Sequence, residues 1–283
     1  MPLTLTLRES TSIPLEVDTV QLATVRAQST DDVAATLIQR GNKQPTLGEF
    51  FDVSGSASED NTLVWQGDCA KVKLIGSHLD DGHIVVEGNT GMHLGADMTG
   101  GSIVVHGNAA DWVGAEMHGG RIHIHGNAGH LVGAAYRGSR RGMTGGEILV
   151  DGNAGNEVGH TMRRGTIAIG GNAGDGIGFN MIAGSVFVFG QAGIRPGAGM
   201  RRGTIGLFGI DEKFDLLPTF QFAGTDRPVF LAFAFRRLRE MGFSVPEECF
   251  SAQFDRYCGD FLELGKGELV VRTQSQGEST VVA

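Results

Sequence analysis

Seven arginines and a small histidine cluster are the residues of this chain best suited to chemistry. Arg137, Arg140 and Arg141 crowd one short run, and Arg163-Arg164 and Arg201-Arg202 form two further pairs. A guanidinium grips carboxylates and phosphates through forked hydrogen bonds. On a chain of net charge −9, such a set points to an anionic ligand or an acidic partner subunit, and not to nucleic acid. The competing reading is a solvated surface in which Asp and Glu neighbours pair these arginines. His106, His123 and His125 stand with Glu87 and Asp151, donor types that suit a transition metal. The reading adopted for them is a surface ladder of alternating acid and base with no metal, because the sequence shows no concave site around them.

Other chemistry fails on spacing. After Gly174 and Gly176, the third glycine of a dinucleotide loop is replaced by Phe179; Gly265-Lys266 is followed by Gly267, not Ser or Thr. Gly-x-Ser-x-Gly and His-Glu-x-x-His do not occur. Cys69, Cys249 and Cys258 form no Cys-x-x-Cys pair, so they read as reduced thiols rather than a metal or disulfide framework. No residue receives a catalytic role.

The elements that must position these residues are repeats. Gly-Asn recurs at Gly88, Gly107, Gly126, Gly152 and Gly171, and Gly190 and Gly209 continue the count. The intervals are 19, 19, 26, 19, 19 and 19 residues, a period that signals stacked units. The single long interval holds seven extra residues, Tyr136–Gly142, and all three arginines of the first run fall there. Laid over one another, the repeats align Leu94 with Val113, Val132, Val158 and Ile177, and Met98 with Met117, Met143, Met162, Met181 and Met200. Ile84, Ile103, Ile122, Ile148, Ile167, Val186 and Ile205 form a third column, two residues before a fourth that runs from Val86 to Leu207. That spacing is the period of a strand with one buried face. A unit this short holds two or three brief strands turned by glycine. The predicted fold is therefore all-β: a single-stranded parallel, right-handed β-helix of about seven Gly-rich 19-residue turns. The methionine column reads as core and not as a copper site. On this pattern Ile122 and Ile124 face inward, so His123 and His125 face outward. The arginine pairs, two turns apart, form a stripe spaced by ~10 Å.

An open stack needs its two ends covered. Residues 1–61 are expected to form an α/β cap, with a strand at Leu3–Leu7, a helix over roughly 31–40, and a strand over Leu47–Val53. Residues 62–210 are the coil. Residues 211–283 are a C-terminal extension with a Pro-started helix at about 228–241, whose Arg236, Arg237 and Arg239 suit a helix C-terminus or a docking surface; Gln274–Ala283 is expected to be disordered. The start lacks a basic-then-apolar leader, and the longest strongly apolar run, Val229–Phe235, is far short of ~20 residues, so a cytoplasmic protein without membrane contact is expected.

The repeats resemble the Gly-rich β-helix shared by the C-terminal region of the glutamate synthase large subunit and by the C-subunit of formylmethanofuran dehydrogenase. The second resemblance covers nearly the whole chain. It is carried by the lead-in Leu47-Gly-Glu-Phe-Phe-Asp-Val-Ser-Gly55 and by the excursion Tyr136–Gly146 followed by Gly152-Asn-Ala-Gly-Asn-Glu-Val-Gly159. The tail, with Leu217–Gly224, Arg227–Leu231 and Arg256–Glu268, is similar to the bacterial form. That form belongs to a formyltransferase/hydrolase complex. The resemblance implies a structural, non-catalytic subunit of an assembly that moves a formyl group from formyl-tetrahydromethanopterin to a methanofuran-type carrier and releases formate. Its partners would be the hydrolase, the formyltransferase and other subunits, with no cofactor held by this chain itself. It also implies a carrier with a polyanionic glutamyl chain, which the seven arginines would guide. Two alternatives stay open: the C-subunit of a molybdenum or tungsten formylmethanofuran dehydrogenase, and an independent carbohydrate-active β-helix enzyme. The latter needs paired outer-face carboxylates, and Glu87 and Asp151, three turns or ~14 Å apart, are too distant for either glycosidase geometry.

Overall fold

The computed structural model describes residues 1–209 and 216–273. The chain is mostly β, built on a 13-stranded, largely parallel sheet with few helices. Seven repeat strands, from His83–Val86 to Arg202–Leu207, lie side by side in sequence order. Each pairs in parallel with the next at the same register: Ile84 with Ile103, Ile103 with Ile122, Ile122 with Ile148, and so on to Ile205. A second ladder of parallel bridges joins Thr90, Ala109 and Ala128, and then Ala154, Ala173 and Ala192. Chain segments one period apart are therefore stacked at two places in each repeat.

Side-chain identity explains the register. All four inward columns are buried, and the methionines of the second column lie wholly inside one continuous hydrophobic core. The Gly-Asn pair sets the corner. Asn127 Oδ1 accepts the backbone N–H of Asn153 at 2.8 Å, and Asn108 Oδ1 accepts that of Asn127 at 2.8 Å. Asn89, Asn153 and Asn172 do the same at 2.7–2.9 Å. The preceding glycine allows close approach: a Cβ on Gly126 would sit 2.5 Å from the carbonyl oxygen of Gly107. On the opposite corner Gly133 adopts φ +68°, and a Cβ there would meet Ile167 at 2.6 Å.

The ends of the stack are extended by strands from outside the repeats. Leu3–Leu7 pairs in parallel with Thr62–Gln66, which continues to His83–Val86, and Phe51–Ser54 adds antiparallel beyond it. At the other end Lys266–Arg272 pairs in parallel with Arg202–Leu207 and is followed by the antiparallel strands Phe254–Gly259 and Gln221–Asp226. Two N-terminal expectations need correction. The predicted helix over 31–40 is only Thr30–Ala34, capped by Ser29. Its continuation is pre-empted: Thr36 C=O takes the N–H of Leu47, and Gln39–Arg40 pairs with Leu15–Glu16. The expected strand Leu47–Val53 begins as a 3₁₀ turn, Leu47–Glu49, because Glu49 reaches back to the N–H of Thr46 in a capping box; the strand is Phe51–Ser54.

The helix Val229–Glu240 follows Pro228 and lies on the outer face of the sheet. Leu231, Phe235 and Leu238 pack there against Leu149, Ala168, Phe187 and Phe208 in a second core, with the rings of Phe208 and Phe235 edge to face at 5.1 Å. The basic end of the helix is partnered within the chain: Arg237 reaches Glu147, and Arg239 bonds Glu247 and stacks over Phe250. The end of the 62–210 segment and the expected disorder of Gln274–Ala283 lie outside the described residues.

Stability should follow the corner. Asn127→Ala removes one hydrogen bond per stacking step and should cost about 1 kcal/mol. Gly126→Ala forces backbone apart and should cost about 2 kcal/mol or more. Urea unfolding midpoints with unchanged m-values check both.

Candidate functional site

The seven-residue excursion leaves the stack at Tyr136. Tyr136 is held by three contacts: its N–H bonds Glu116 Oε1 at 2.9 Å, its ring stacks on Trp112 at 5.1 Å, and its hydroxyl lies 3.0 Å from His93 Nδ1. Burial, reinforced by Asp97 and Glu116, pushes the phenol up to about 12, so it stays protonated and donates to Nδ1. Burial, then the nearby Lys73, pushes His93 below its ordinary value, which keeps the ring neutral and able to accept. The loop is thus anchored at its root, while Arg137, Arg140 and Arg141 stand exposed.

Two adjoining hollows open beside this loop. The first, of about 450 Å³, is lined by Glu116, His118, Ser139, Arg141, Thr144, Arg163 and Arg164. The second, of about 480 Å³, is lined by Arg163, Arg164, Arg201, Arg202, Leu264 and the backbone around Gly165 and Gly184. They share Arg163 and Arg164, so one groove crosses the turns. The structure brings five of the seven arginines to it; Arg137 and Arg140 line neither hollow. Among the described residues, Glu116 is the one carboxylate in either wall. Arg201 bonds Glu263 at 3.1 Å, whereas Arg141, Arg163, Arg164 and Arg202 have no carboxylate within 4.0 Å among the described residues. Unpaired guanidinium groups facing an open groove can hold several anionic groups of one ligand. The sequence reading missed His118, whose Nδ1 lies 2.6 Å from Thr144 Oγ1, and Leu264. His118 follows Met117 at the same repeat position as Arg163 and Arg201, a signal the arginine pairs alone did not use, and Leu264 comes from outside the repeats.

The histidines lie on the outer face of the sheet. His125 and His106 stack at 5.3 Å, and both carry polar neighbours: His125 Nδ1 is 2.7 Å from Asp151 Oδ2, and His106 Nε2 is 4.0 Å from Glu87. His123 differs from expectation. Its ring faces out of the coil, but it is only 7% exposed, and its Nε2 lies 2.9 Å from Asp151 Oδ1. Outward does not mean solvated here, because its column continues into the second core through Leu149, Ala168 and Phe187.

With strand register, glycine corners and an arginine-lined groove in place, the chain is a Gly-repeat β-sheet protein. A family model described as the GXGXG motif matches residues 80–218. The C-subunit of the molybdenum-containing formylmethanofuran dehydrogenase 1 of Methanothermobacter wolfeii is 43% identical over 83 residues, 29% of this chain and 21% of that protein. The C-subunit of the tungsten-containing formylmethanofuran dehydrogenase 2 of the same organism is 39% identical over 95 residues, 32% of this chain and 35% of that protein. The chain thus matches about a fifth to a third of the length of these relatives. A chain in the crystal structure of the formyltransferase/hydrolase complex (FhcABCD) from Methylorubrum extorquens with methylofuran superposes with a TM-score of 0.87 and 33% identity, over 96% of this chain and all of that one. The chain belongs to the formylmethanofuran dehydrogenase C-subunit family.

Two outcomes test the anchor of the loop. Tyr136→Ala should free its root and speed tryptic cleavage after Arg137, Arg140 and Arg141 about tenfold or more under native conditions, since cleavage follows the local opening equilibrium. His93 binds a proton more readily in the unfolded chain than in the fold. Its contribution to stability is therefore complete above about pH 6.5 and declines as pH falls through that value toward its lower folded pKa. The urea midpoint should drop between pH 7.5 and 5.5, and less so in His93→Gln.

Proposed function

We propose that this chain is the structural, non-catalytic subunit of a formyltransferase/hydrolase complex. The assembly would transfer a formyl group from formyl-tetrahydromethanopterin to a methanofuran-type carrier and hydrolyse it to formate, with a hydrolase and a formyltransferase as partner subunits. The observation that carries this reading is the full-length likeness, at 33% identity, to a chain of the methylofuran-bound complex. The segment 62–210 is read as one continuous single-stranded parallel β-helix, supported by two ladders of in-register bridges one repeat apart. Right-handedness follows from the strong bias of parallel crossover connections. Residues 1–61 and 211–283 are read as its cap and extension. Three unpaired cysteines, two of them buried, suit a reducing compartment such as the cytoplasm. No helix among the described residues is long and apolar enough to cross a membrane.

The arginine groove is assigned to the carrier's anionic tail. Arg163 and Arg164 belong to both hollows, and the pair Arg201-Arg202 lies two strands on, ~10 Å away, so acidic groups along an extended chain meet successive guanidinium groups. Tethering the tail there keeps the formyl-bearing end near its active sites at high effective concentration. Arg137 and Arg140 are exposed on the adjoining loop and line neither hollow. A second reading, the C-subunit of a molybdenum or tungsten formylmethanofuran dehydrogenase, is favoured by the 43% identity to the molybdenum form, although over 83 residues only. The two readings differ chiefly in the partner subunits, and the tail of this chain favours the first.

Replacing Arg163, Arg164 and Arg202 together with Gln should raise the apparent KM for the carrier at least tenfold and flatten its salt dependence, with the complex still assembled. Unchanged kinetics would place the tail elsewhere. Loss of assembly would make the groove a subunit interface.

A further inference from the structure

Away from the arginine groove, one cluster is built with unusual economy. His123 and His125 are two residues apart on the strand Arg121–Ile124 and its immediate continuation, so both rings stand on the outer face. Asp151 follows the next strand, Glu147–Val150, and lies laterally opposite His125, because Val150 pairs with Ile124. Its two oxygens divide between the rings, Oδ1 at 2.9 Å from His123 Nε2 and Oδ2 at 2.7 Å from His125 Nδ1. The three donor atoms all lie within 4.8 Å of one another.

His123 is out of place unless its ring has a purpose. The other turns put Val104, Leu149, Ala168 and Phe187 in its column. A buried imidazole there must be desolvated and must find a partner, whereas the apolar residues gain from the same burial. The sheet fixes the positions of all three side chains, and the stacked ring of His106 restrains His125 further. His125 and Asp151 are partly open to solvent, which leaves the remaining coordination positions accessible.

We propose that His123 Nε2, His125 Nδ1 and an Asp151 carboxylate oxygen form a site for a first-row transition-metal dication of the zinc class. Imidazole donors favour that class over calcium or magnesium. On binding, the proton on His123 Nε2 and that on His125 Nδ1 exchange through solvent to the other nitrogen of each neutral ring, which frees the two lone pairs, and the metal takes the place of the two hydrogen bonds to Asp151. The site has a structural consequence. His123 and His125 precede the seven-residue excursion and Asp151 follows it, at sequence separations of 28 and 26. The metal staples together the two turns between which the arginine-bearing loop leaves the stack, at the one long interval of the repeat. This does not rest on the assignment of the groove to the carrier.

The test is titration of the chelator-stripped full chain with Zn2+ by calorimetry, and with Co2+ by visible absorption. His125→Asn and Asp151→Asn are the variants, since His125 is exposed and both changes avoid added bulk; a circular-dichroism melt confirms that they fold. One equivalent should bind, with cobalt d–d bands, at least about tenfold more weakly in each variant. Zn2+ should raise the Tm of the parent chain and not of the variants. No stoichiometric binding, or binding that both variants retain unchanged, would overturn the proposal; retained binding would mean adventitious metal at other groups.

Discussion

The contact on which the rest depends is the approach of one Gly-Asn corner to the corner one turn away. Asn127 Oδ1 takes the backbone N–H of Asn153, and Gly126 has no Cβ to meet the carbonyl of Gly107. Together these fix the stacking distance and the register. Register then decides everything displayed on the stack. It aligns Met with Met and Ile with Ile inside. It places Arg163-Arg164 and Arg201-Arg202 in one groove, and it sets Asp151 opposite His125. A slip of one residue would exchange inward and outward sets on every strand.

The insertion is accommodated because it leaves that contact intact. Gly126 and Gly152 are 26 residues apart, yet Asn127 still serves Asn153 at 2.8 Å, the distance seen where the spacing is 19. The extra residues are expelled sideways at Tyr136, whose ring and hydroxyl are caught by Trp112 and His93. A stiff ladder with one tethered excursion gives a loop of defined root and free tip. The proposed scaffold role is consistent with this physical property of the repeat as well as with the relatives.

Much of this was legible in the sequence. The inward columns, the strand positions and the seven-residue excursion follow from period and side-chain type, and each apolar position read as inward is buried. The outer face was less legible. A period of two identifies one buried face; it does not report that Leu149, Phe187 and Phe208 are buried as well, under a helix that begins more than 20 residues after Phe208. For the same reason His123 read as solvated. The N-terminal region was misread where tertiary contacts overrode local signals: a capped, acidic helix start at Thr30 is cut short by hydrogen bonds from Leu47 and a strand partner in Leu15–Glu16. The arginine pairs were visible as a stripe, but a sequence has no walls. His118 and Thr144 share the repeat column of Arg163 and Arg201, but the contribution of Leu264, and the absence of Arg137 and Arg140 from the groove's lining, required the fold.

The central claim is that this stack serves a formyl-transferring and hydrolysing assembly and performs no chemistry itself. The most direct measurement is to isolate the native assembly through a tag on this chain, then assay carrier-dependent formate release and determine its molybdenum and tungsten content. The account predicts formate release from the formylated pterin in the presence of the carrier, neither metal, and activity lost on removal of the partner subunits but not attributable to this chain alone. Molybdenum or tungsten with iron–sulfur clusters, or activity in the isolated chain, would contradict it.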